Sequence, residues 1–286
     1  MSLAAAEGRA TASPRVGVSG RLVERALGVH GIAVFAFLYL PIAVVVVFAF
    51  NESRLAQVWH GFSLRWFPAA WRDDTLRQAF QISLMTAVAT AVVASSLGTA
   101  AAIALRNVGR RTRTGFDVFM YMALIVPEIV IAIASLLFFV TVQLPLGPVA
   151  IVLTHSVFNI SLVTLIVRAR LAGMDRSLEE ASRDLGASRW GTFCNVTLPQ
   201  LYPAVMAGVL LSFTFSFDDV VLSSFVSGPG STTLPVEIFS SLRFGLTPKI
   251  NVVAVVALAF SLSAIVVAQL LLRREARRAR GERLAA

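Results

Sequence analysis

The chain has 286 residues, of which 57% are hydrophobic and only 14% are charged. A soluble domain normally carries about a quarter charged residues, so the composition excludes a soluble globular domain and indicates an integral membrane protein. The net charge of +9 raises the question of nucleic acid. The arginines flank the apolar segments instead of forming one basic face with interleaved aromatic residues, which argues against that partner.

Six apolar segments predict an all-α membrane fold with six spans. Residues 1–30 are rich in Ala, Gly, Ser and Arg without a sustained period, and we expect a mostly disordered tail there. The first apolar segment is about 20 residues long, which suits a signal-anchor better than a cleavable signal peptide. The predicted spans lie at about 31–50, 79–105, 117–141, 148–167, 203–226 and 251–272, and a basic tail follows at 273–286.

The positions of Lys and Arg predict how the chain is oriented. With both termini in the cytoplasm, the inner segments hold 19 of these residues and the outer segments hold six. Cytoplasmic loops of membrane proteins carry an excess of Lys and Arg near the span ends. We therefore expect both termini, and the segment between the fourth and fifth spans, to lie in the cytoplasm.

The segment between the fourth and fifth spans contains the charged stretch EEASRDLGASRWGTFCNVTLP. Ser177 and Glu180 have the spacing of a capping box, and Gly186 stands where a helix ends in a left-handed residue. Ser188 is suited to cap a second helix, which we expect Pro199 to end. The apolar positions of the two helices are Leu178, Ala181, Leu185, Trp190, Phe193 and Val196. The pattern predicts helix, glycine turn, helix; an ordinary well-capped loop is the alternative.

This segment also resembles the "EAA" signature of ABC importer permeases, and we call residues 175–200 the EAA segment. Ser182 and Val196 replace the Ala and Ile of the family pattern, and both replacements are conservative. In that family the segment forms coupling helices that dock into a cleft of the ATPase subunit. The resemblance thus implies an ATPase-coupling role for Glu180, Ala181, Ser182, Gly186, Val196, Leu198 and Pro199.

No motif for ATP hydrolysis or metal binding is present in the sequence. A phosphate-binding loop, G-x-x-x-x-G-K-[ST], needs a lysine in a glycine-rich context, and the one lysine, Lys249, has no such context. His30, His60 and His155 are isolated and match no metal-ligand spacing. We expect no catalytic site, metal or cofactor in this chain, and the resemblance places ATP and Mg²⁺ on the partner ATPase.

Three carboxylates lie inside predicted spans: Glu128 in the third, and Asp218 and Asp219 in the outer third of the fifth. An ionisable group inside a membrane costs roughly 2.5–3.5 kcal/mol on insertion scales, so such groups usually face a polar interior. No basic residue lies within the cores of these two spans, which suggests a cationic substrate. For Glu128 the alternative is a structural carboxylate with satisfied partners.

Helical spacing separates the two neighbouring aspartates. Adjacent residues point about 100° apart on a helix, so the two side chains do not face the same way. Asp219 falls on a stripe of small and polar residues, and we expect it to face the pathway, with Asp218 nearer a helix interface or outer gate. Small-residue helix packing is the alternative explanation of the stripe. Its other members are Gly208, Ser212, Ser216 and Ser223.

The stretches SFTFSFDDVVLSSFVSGPGSTTLP and VPEIV resemble the spermidine/putrescine subfamily of ABC permeases, in particular its second permease subunit. The resemblance runs over about residues 31–272. It implies a type I importer with a MetI-like core in the bacterial inner membrane. Its partners would be a second homologous permease, two ATPases, a periplasmic polyamine-binding protein and membrane lipid. A permease for another solute, such as a cationic amino acid or a metal complex, and a stand-alone channel or carrier are the alternatives.

Overall fold

A computed structural model describes residues 18–53, 58–243 and 247–285. Within these ranges the chain forms twelve α-helices and one π-helical turn, Phe193–Thr197, and no β-strand. The α-helices are α1 (Val18–Phe48), α2 (Trp66–Trp71), α3 (Asp74–Ala104), α4 (Arg110–Ile125), α5 (Glu128–Thr141), α6 (Pro148–Ala172), α7 (Ser177–Asp184), α8 (Arg189–Thr192), α9 (Leu198–Phe217), α10 (Val221–Val226), α11 (Leu234–Leu242) and α12 (Pro248–Ala285).

Four helices of the described chain are long and apolar enough to cross a membrane: α1, α3, α6 and the continuous helix Arg189–Phe217 that ends in α9. A fifth crossing results if α4 and α5 are one span, and they are bent by 104° at their junction. The last helix, α12, is apolar over Pro248–Ser263. The count of six spans stays a prediction.

The expected disordered tail is wrong for residues 18–30, because α1 already begins at Val18. Residues before 18 lie outside the described part of the chain. The sequence that precedes the apolar segment includes good helix formers such as Leu, Arg, Glu and Ala. Because adding residues to an existing helix costs far less than starting one, the apolar segment extends its helix toward the N-terminus.

The predicted single helix over 117–141 is also wrong, because the chain turns sharply at Val126 and Pro127. Val126 is extended, with φ −61° and ψ 130°, and α5 starts immediately after the proline. Proline lacks a backbone N–H, and its ring pushes the preceding residue out of the helical region. The result is a broken span whose second half leaves at a steep angle.

The predicted helix over 203–226 is interrupted as well. Its first part starts earlier, at Leu198, and ends at Phe217, and a short second helix begins at Val221. Two adjacent aspartates occupy the break. Aspartate competes with helical backbone bonding because its side chain accepts hydrogen bonds from nearby N–H groups, and Asp219 does so here.

The centre of the fold is a close packing of α3, α6 and α9 around Val163 of α6. A Cβ on Gly98 of α3 would lie 2.8 Å from the Val163 Cβ, and one on Gly208 of α9 would lie 3.1 Å from its Cγ1. Small residues let membrane helices approach closely. The two glycines therefore form the space that the fully buried valine fills.

At the other end of α3, a second cluster holds α11 and α12 against it. The cluster packs Leu76, Leu234 and Val253 together. Asp73 caps α3 by accepting a hydrogen bond from the Leu76 N–H at 3.2 Å, and it also pairs with Lys249 at the start of α12. The single lysine of the chain thus ties the last helix to the start of α3.

Candidate functional site

The EAA segment folds as two helices joined at a glycine, as its sequence predicts. Gly186 has φ +87°, a left-handed conformation that favours glycine. The Gly186 N–H donates to the Arg183 carbonyl at 2.9 Å, and the Ala187 N–H donates to the Ser182 carbonyl at 3.1 Å. These two bonds are the pair of a Schellman motif, so the end of α7 is closed by backbone contacts of its own.

The caps of the two helices agree only in part with the prediction. Ser188 caps α8, because its Oγ accepts from the Gly191 N–H at 3.0 Å. The capping box at Ser177 does not form: Ser177 is already helical, and its N–H donates to Asp175 Oδ1 at 2.9 Å. The earlier aspartate supplies the acceptor that the serine was expected to provide.

The expected end of the second helix at Pro199 is wrong. The helix passes through the π-helical turn into α9 and runs on to Phe217. In that turn the Leu198 N–H donates to the Phe193 carbonyl, five residues back. The wider turn lets Pro199 enter near the start of α9, where a missing N–H is tolerated. α8, the π-helical turn and α9 are therefore one continuous helix, from Arg189 to Phe217.

Glu179 anchors the EAA segment to the end of α3. Its carboxylate accepts two hydrogen bonds from Arg106, at 2.7 and 2.8 Å, and one from Thr197 Oγ1 at 2.9 Å. The hydrogen bonds from Arg106 hold the pKa of Glu179 below its ordinary value, against the opposing effect of partial burial. Sequence reasoning missed this residue, because its partner lies 73 positions away and no local pattern connects them.

The residues that the EAA resemblance singles out are mostly exposed. Ser182 is half-buried, with Oγ 3.2 Å from the hydroxyl of Thr192, so it joins α7 to α8. Val196 is half-buried too. The exposed members are Glu180, Ala181, Gly186, Leu198 and Pro199.

The EAA segment also carries an uncovered apolar surface. Leu185 is 89% exposed and Trp190 is 73% exposed, and Leu178 is exposed as well. Leu185 and Trp190 flank the glycine turn. Large apolar side chains on a capped, well-formed helix pair indicate a contact surface for another protein.

The carboxylates of the fifth predicted span lie at the break between α9 and α10. Asp219 caps α10, because its carboxylate accepts from the Leu222 N–H at 3.0 Å and from the Ser223 N–H at 3.2 Å. Its side chain is only 8% exposed. Asp218 is exposed and lines a cavity of about 420 Å³ beside α9, α11 and α12. The helix is broken at these two residues, so the 100° angle between neighbours on a continuous helix does not determine where the two side chains point.

His155 of α6 gathers the polar stripe around itself. Its Nδ1 lies 2.7 Å from Ser216 Oγ, and its Nε2 lies 3.2 Å from Ser223 Oγ and 3.6 Å from Asp219 Oδ2. Three stripe members meet at His155, but they pack inward against α6, which favours the alternative of helix packing, and Ser212 is fully buried one turn away. That the stripe faces the pathway stays a prediction. Sequence reasoning treated His155 as isolated. The available signal was an ionisable side chain inside an apolar span, which requires a partner.

Glu128 stands at the start of α5, next to the other break. Its side chain is exposed, and α5 packs against α10. Glu128 is close enough to act electrostatically on both Asp218 and Asp219. Irregular backbone at membrane depth is tolerated where it is buried in protein or lines a cavity. Two broken spans thus bring three carboxylates into one region.

Sequence comparison finds a matching family and similar proteins of known function. Residues 94–281 match the family "Binding-protein-dependent transport system inner membrane component". The chain is 42% identical over 231 residues to the putrescine transport system permease protein PotI of Escherichia coli strain K12, covering 78% of this chain and 82% of that protein. It is 38% identical over 241 residues to the spermidine/putrescine transport system permease protein PotC of the same strain, covering 84% and 91%.

A solved structure of a bacterial ABC transporter that imports the acidic polysaccharide alginate shares the fold. Its TM-score is 0.73 at 13% identity, over 90% of this chain and 97% of the other. The predicted all-α membrane fold and the resemblance to ABC importer permeases are confirmed. The chain is a multi-pass protein of the inner membrane, and it belongs to the family of binding-protein-dependent transport system inner membrane components.

Proposed function

We propose that the chain is a permease subunit of an ATP-driven importer of polyamines such as putrescine and spermidine. The observation that carries the permease role is the EAA segment, which is anchored by Glu179 and leaves Leu185 and Trp190 uncovered. The names of the two permeases that share 42% and 38% identity with the chain support the substrate class.

The chain contributes no ATPase of its own, and its motor is a pair of partner ATPases. ATP and Mg²⁺ belong to those partners, which dock on the exposed apolar surface of the EAA segment. A second, homologous permease completes the pathway, and a periplasmic polyamine-binding protein delivers the substrate. Both termini lie in the cytoplasm, as the distribution of arginine supports.

Movement of the EAA segment reaches the carboxylates through α9. The second helix of the segment continues into α9 without a break, and α9 has 20 residues, or about 30 Å of length. At its far end lie Asp218 and Asp219. The Glu179–Arg106 contact also transmits the displacement to α3, which packs against both α6 and α9. ATP-driven displacement of the segment therefore moves three packed helices together.

The region near Asp218 and Glu128 suits a cationic substrate. Both side chains are exposed, and within the described residues neither forms an ion pair with a basic group. Polyamines carry several ammonium groups at neutral pH. A carboxylate about 4 Å from an ammonium contributes several kcal/mol before desolvation is subtracted, and roughly 1–4 kcal/mol remain at a partly wet site.

The test is uptake of labelled putrescine by proteoliposomes that contain the four-subunit complex and its binding protein. We expect uptake that requires ATP and binding protein and that excess spermidine reduces. Two controls separate the alternatives: competition by arginine or by a metal complex, and a preparation of this chain alone. Uptake that only those other solutes inhibit, or uptake by the single chain under a proton or sodium gradient, would contradict the proposal.

A further inference from the structure

Four arginines line a small pocket at the end of the molecule that carries the EAA segment. They are Arg106 after α3, Arg113 of α4, Arg168 of α6 and Arg176 before α7. The rest of the wall is apolar and comes from the last turns of α3 and α6 and the residues that follow them. The pocket has a volume of about 140 Å³. Four separate elements thus contribute one guanidinium each to a single space.

The charges around the pocket are unbalanced. Arg106 is paired with Glu179, and Arg168 is paired with Asp117. Arg113 and Arg176 form no ion pair within the described residues, although Arg113 is near enough to Asp117 to act on it electrostatically. Four guanidinium groups therefore face two carboxylates, and the pocket keeps an excess of two positive charges. Arg183 of α7, which also acts on Glu179, adds to this positive field.

The size and walls of the pocket limit what it can bind. Sites for drug-sized ligands take about 300–1,000 Å³, so this space is too small for a nucleotide or a peptide. Guanidinium groups bind phosphate oxygens through paired N–H donors. The apolar half of the wall belongs to the ends of membrane-spanning helices, which is the depth at which lipid headgroups lie. Basic pockets between such helices on the cytoplasmic side suit anionic headgroups.

We propose that this pocket binds a phosphate group, with Arg113 and Arg176, which form no ion pair, as its two guanidinium ligands. The apolar wall makes the headgroup of an anionic phospholipid the expected source, and free phosphate is the other source of the same chemistry. A bound phosphate bridges α4 to the start of the EAA segment. It thereby fixes the broken α4–α5 span relative to the part of the chain that receives the ATPase movement.

The experiment uses the assembled complex in nanodiscs of phosphatidylcholine alone or with phosphatidylglycerol. The phosphatidylglycerol retained per complex after exchange into detergent is counted by mass spectrometry. We expect wild type to enrich this lipid, and Arg113→Gln/Arg176→Gln to lower the enrichment roughly 30-fold. The matched control is Arg110→Gln/Arg111→Gln, which removes the same charge from the same end of the molecule but spares the pocket.

A second variant and a second ligand keep the test decisive. Arg113→Lys/Arg176→Lys retains the charge and loses the paired donors, so it should keep part of the enrichment even if the Gln variant assembles poorly. Radiolabelled phosphate is added to the complex in phosphatidylcholine alone. Phosphate binding that Arg113→Gln/Arg176→Gln removes, without lipid preference, supports the site with free phosphate as its source. Equal loss in the control, or no binding of either kind, overturns the proposal.

Discussion

Replacing Glu179 by Gln removes the charge that holds the EAA segment to α3. The Glu179 and Arg106 side chains are only 10% and 17% exposed, and two hydrogen bonds of 2.7 and 2.8 Å join them. Removing one partner of a buried pair costs about 3–5 kcal/mol, and an exposed pair contributes only about 0–1 kcal/mol. Because this pair is partly buried and Gln keeps one acceptor, we expect a loss of about 2 kcal/mol.

A loss of this size weakens the attachment by roughly 30-fold, at 1.4 kcal/mol per factor of ten. We expect polyamine uptake by Glu179→Gln in proteoliposomes to fall about tenfold or more, while the complex still hydrolyses ATP. The double variant Arg106→Gln/Glu179→Gln leaves no unpaired charge and should recover part of the loss. Asp74→Asn is the control, because it breaks the exposed Arg77–Asp74 pair, whose side chains are 53% and 85% exposed.

The reasoning fails if Glu179→Gln transports as well as Asp74→Asn. It also fails if the free-energy loss in the double variant equals the sum of the losses in Glu179→Gln and Arg106→Gln measured separately. The pH dependence gives a further check on the same contact. Because the pKa of Glu179 is lowered on folding, its stabilisation is present above the ordinary carboxyl pKa and is lost as the pH falls through the folded value. The difference in Tm between wild type and Glu179→Gln should stay constant from about pH 8 to 6 and shrink in acid.

Three further changes test other parts of the structure. Gly186→Val should lower uptake and substrate-stimulated ATP hydrolysis together at normal membrane abundance. Because φ is +87° at this position and no neighbour lies within 4 Å of an added Cβ, backbone strain is the sole cause. Wild-type activity of the variant would contradict the coupling role. Gly208→Ala should destabilise the complex by about 1–3 kcal/mol in thermal unfolding, and adding Val163→Ala should restore most of it, because the nearest atoms, at 3.1 and 3.2 Å, are the valine methyls that alanine lacks; if the second change gives no recovery, the close approach is not the cause. Asp219→Asn keeps a good helix cap but loses the charge, whereas Asp219→Ala loses both. At equal membrane abundance, an uptake defect in both variants indicates that the charge serves the pathway. A defect in Asp219→Ala alone indicates that the side chain is a structural cap.

The local signals in the sequence were sufficient for the glycine turn and the second cap of the EAA segment. Gly186 and Ser188 act on their immediate neighbours, so their positions predict the turn and the second cap. The end of the second helix could not be predicted in the same way. A proline usually stops a helix, but the π-helical turn before Pro199 changes the bonding pattern and lets the helix continue.

The inner parts of the candidate site depend on contacts between distant residues. Arg106 and Glu179 are 73 positions apart, and His155 lies 68 positions from Ser223. Periodicity shows which residues share a face, but it does not show whether that face meets another helix or an open passage. For this reason the stripe was predictable as a group, while its burial around His155 was not.

The fit of Val163 between Gly98 and Gly208 restricts the order in which these positions can change during evolution. The three positions share one fixed volume, so an added methyl at position 208 is tolerated once the residue at 163 has become smaller. An added methyl at position 98 would still lie 2.8 Å from the Cβ of any residue other than glycine at 163, and 3.0 Å from the Ile160 carbonyl oxygen. Position 208 has slightly more room, with 3.1 Å instead of 2.8 Å to the nearest valine atom, and is the first of the two glycines at which alanine should appear. Among related chains, the combined side-chain volume at the three positions should therefore vary less than the volume at any one of them.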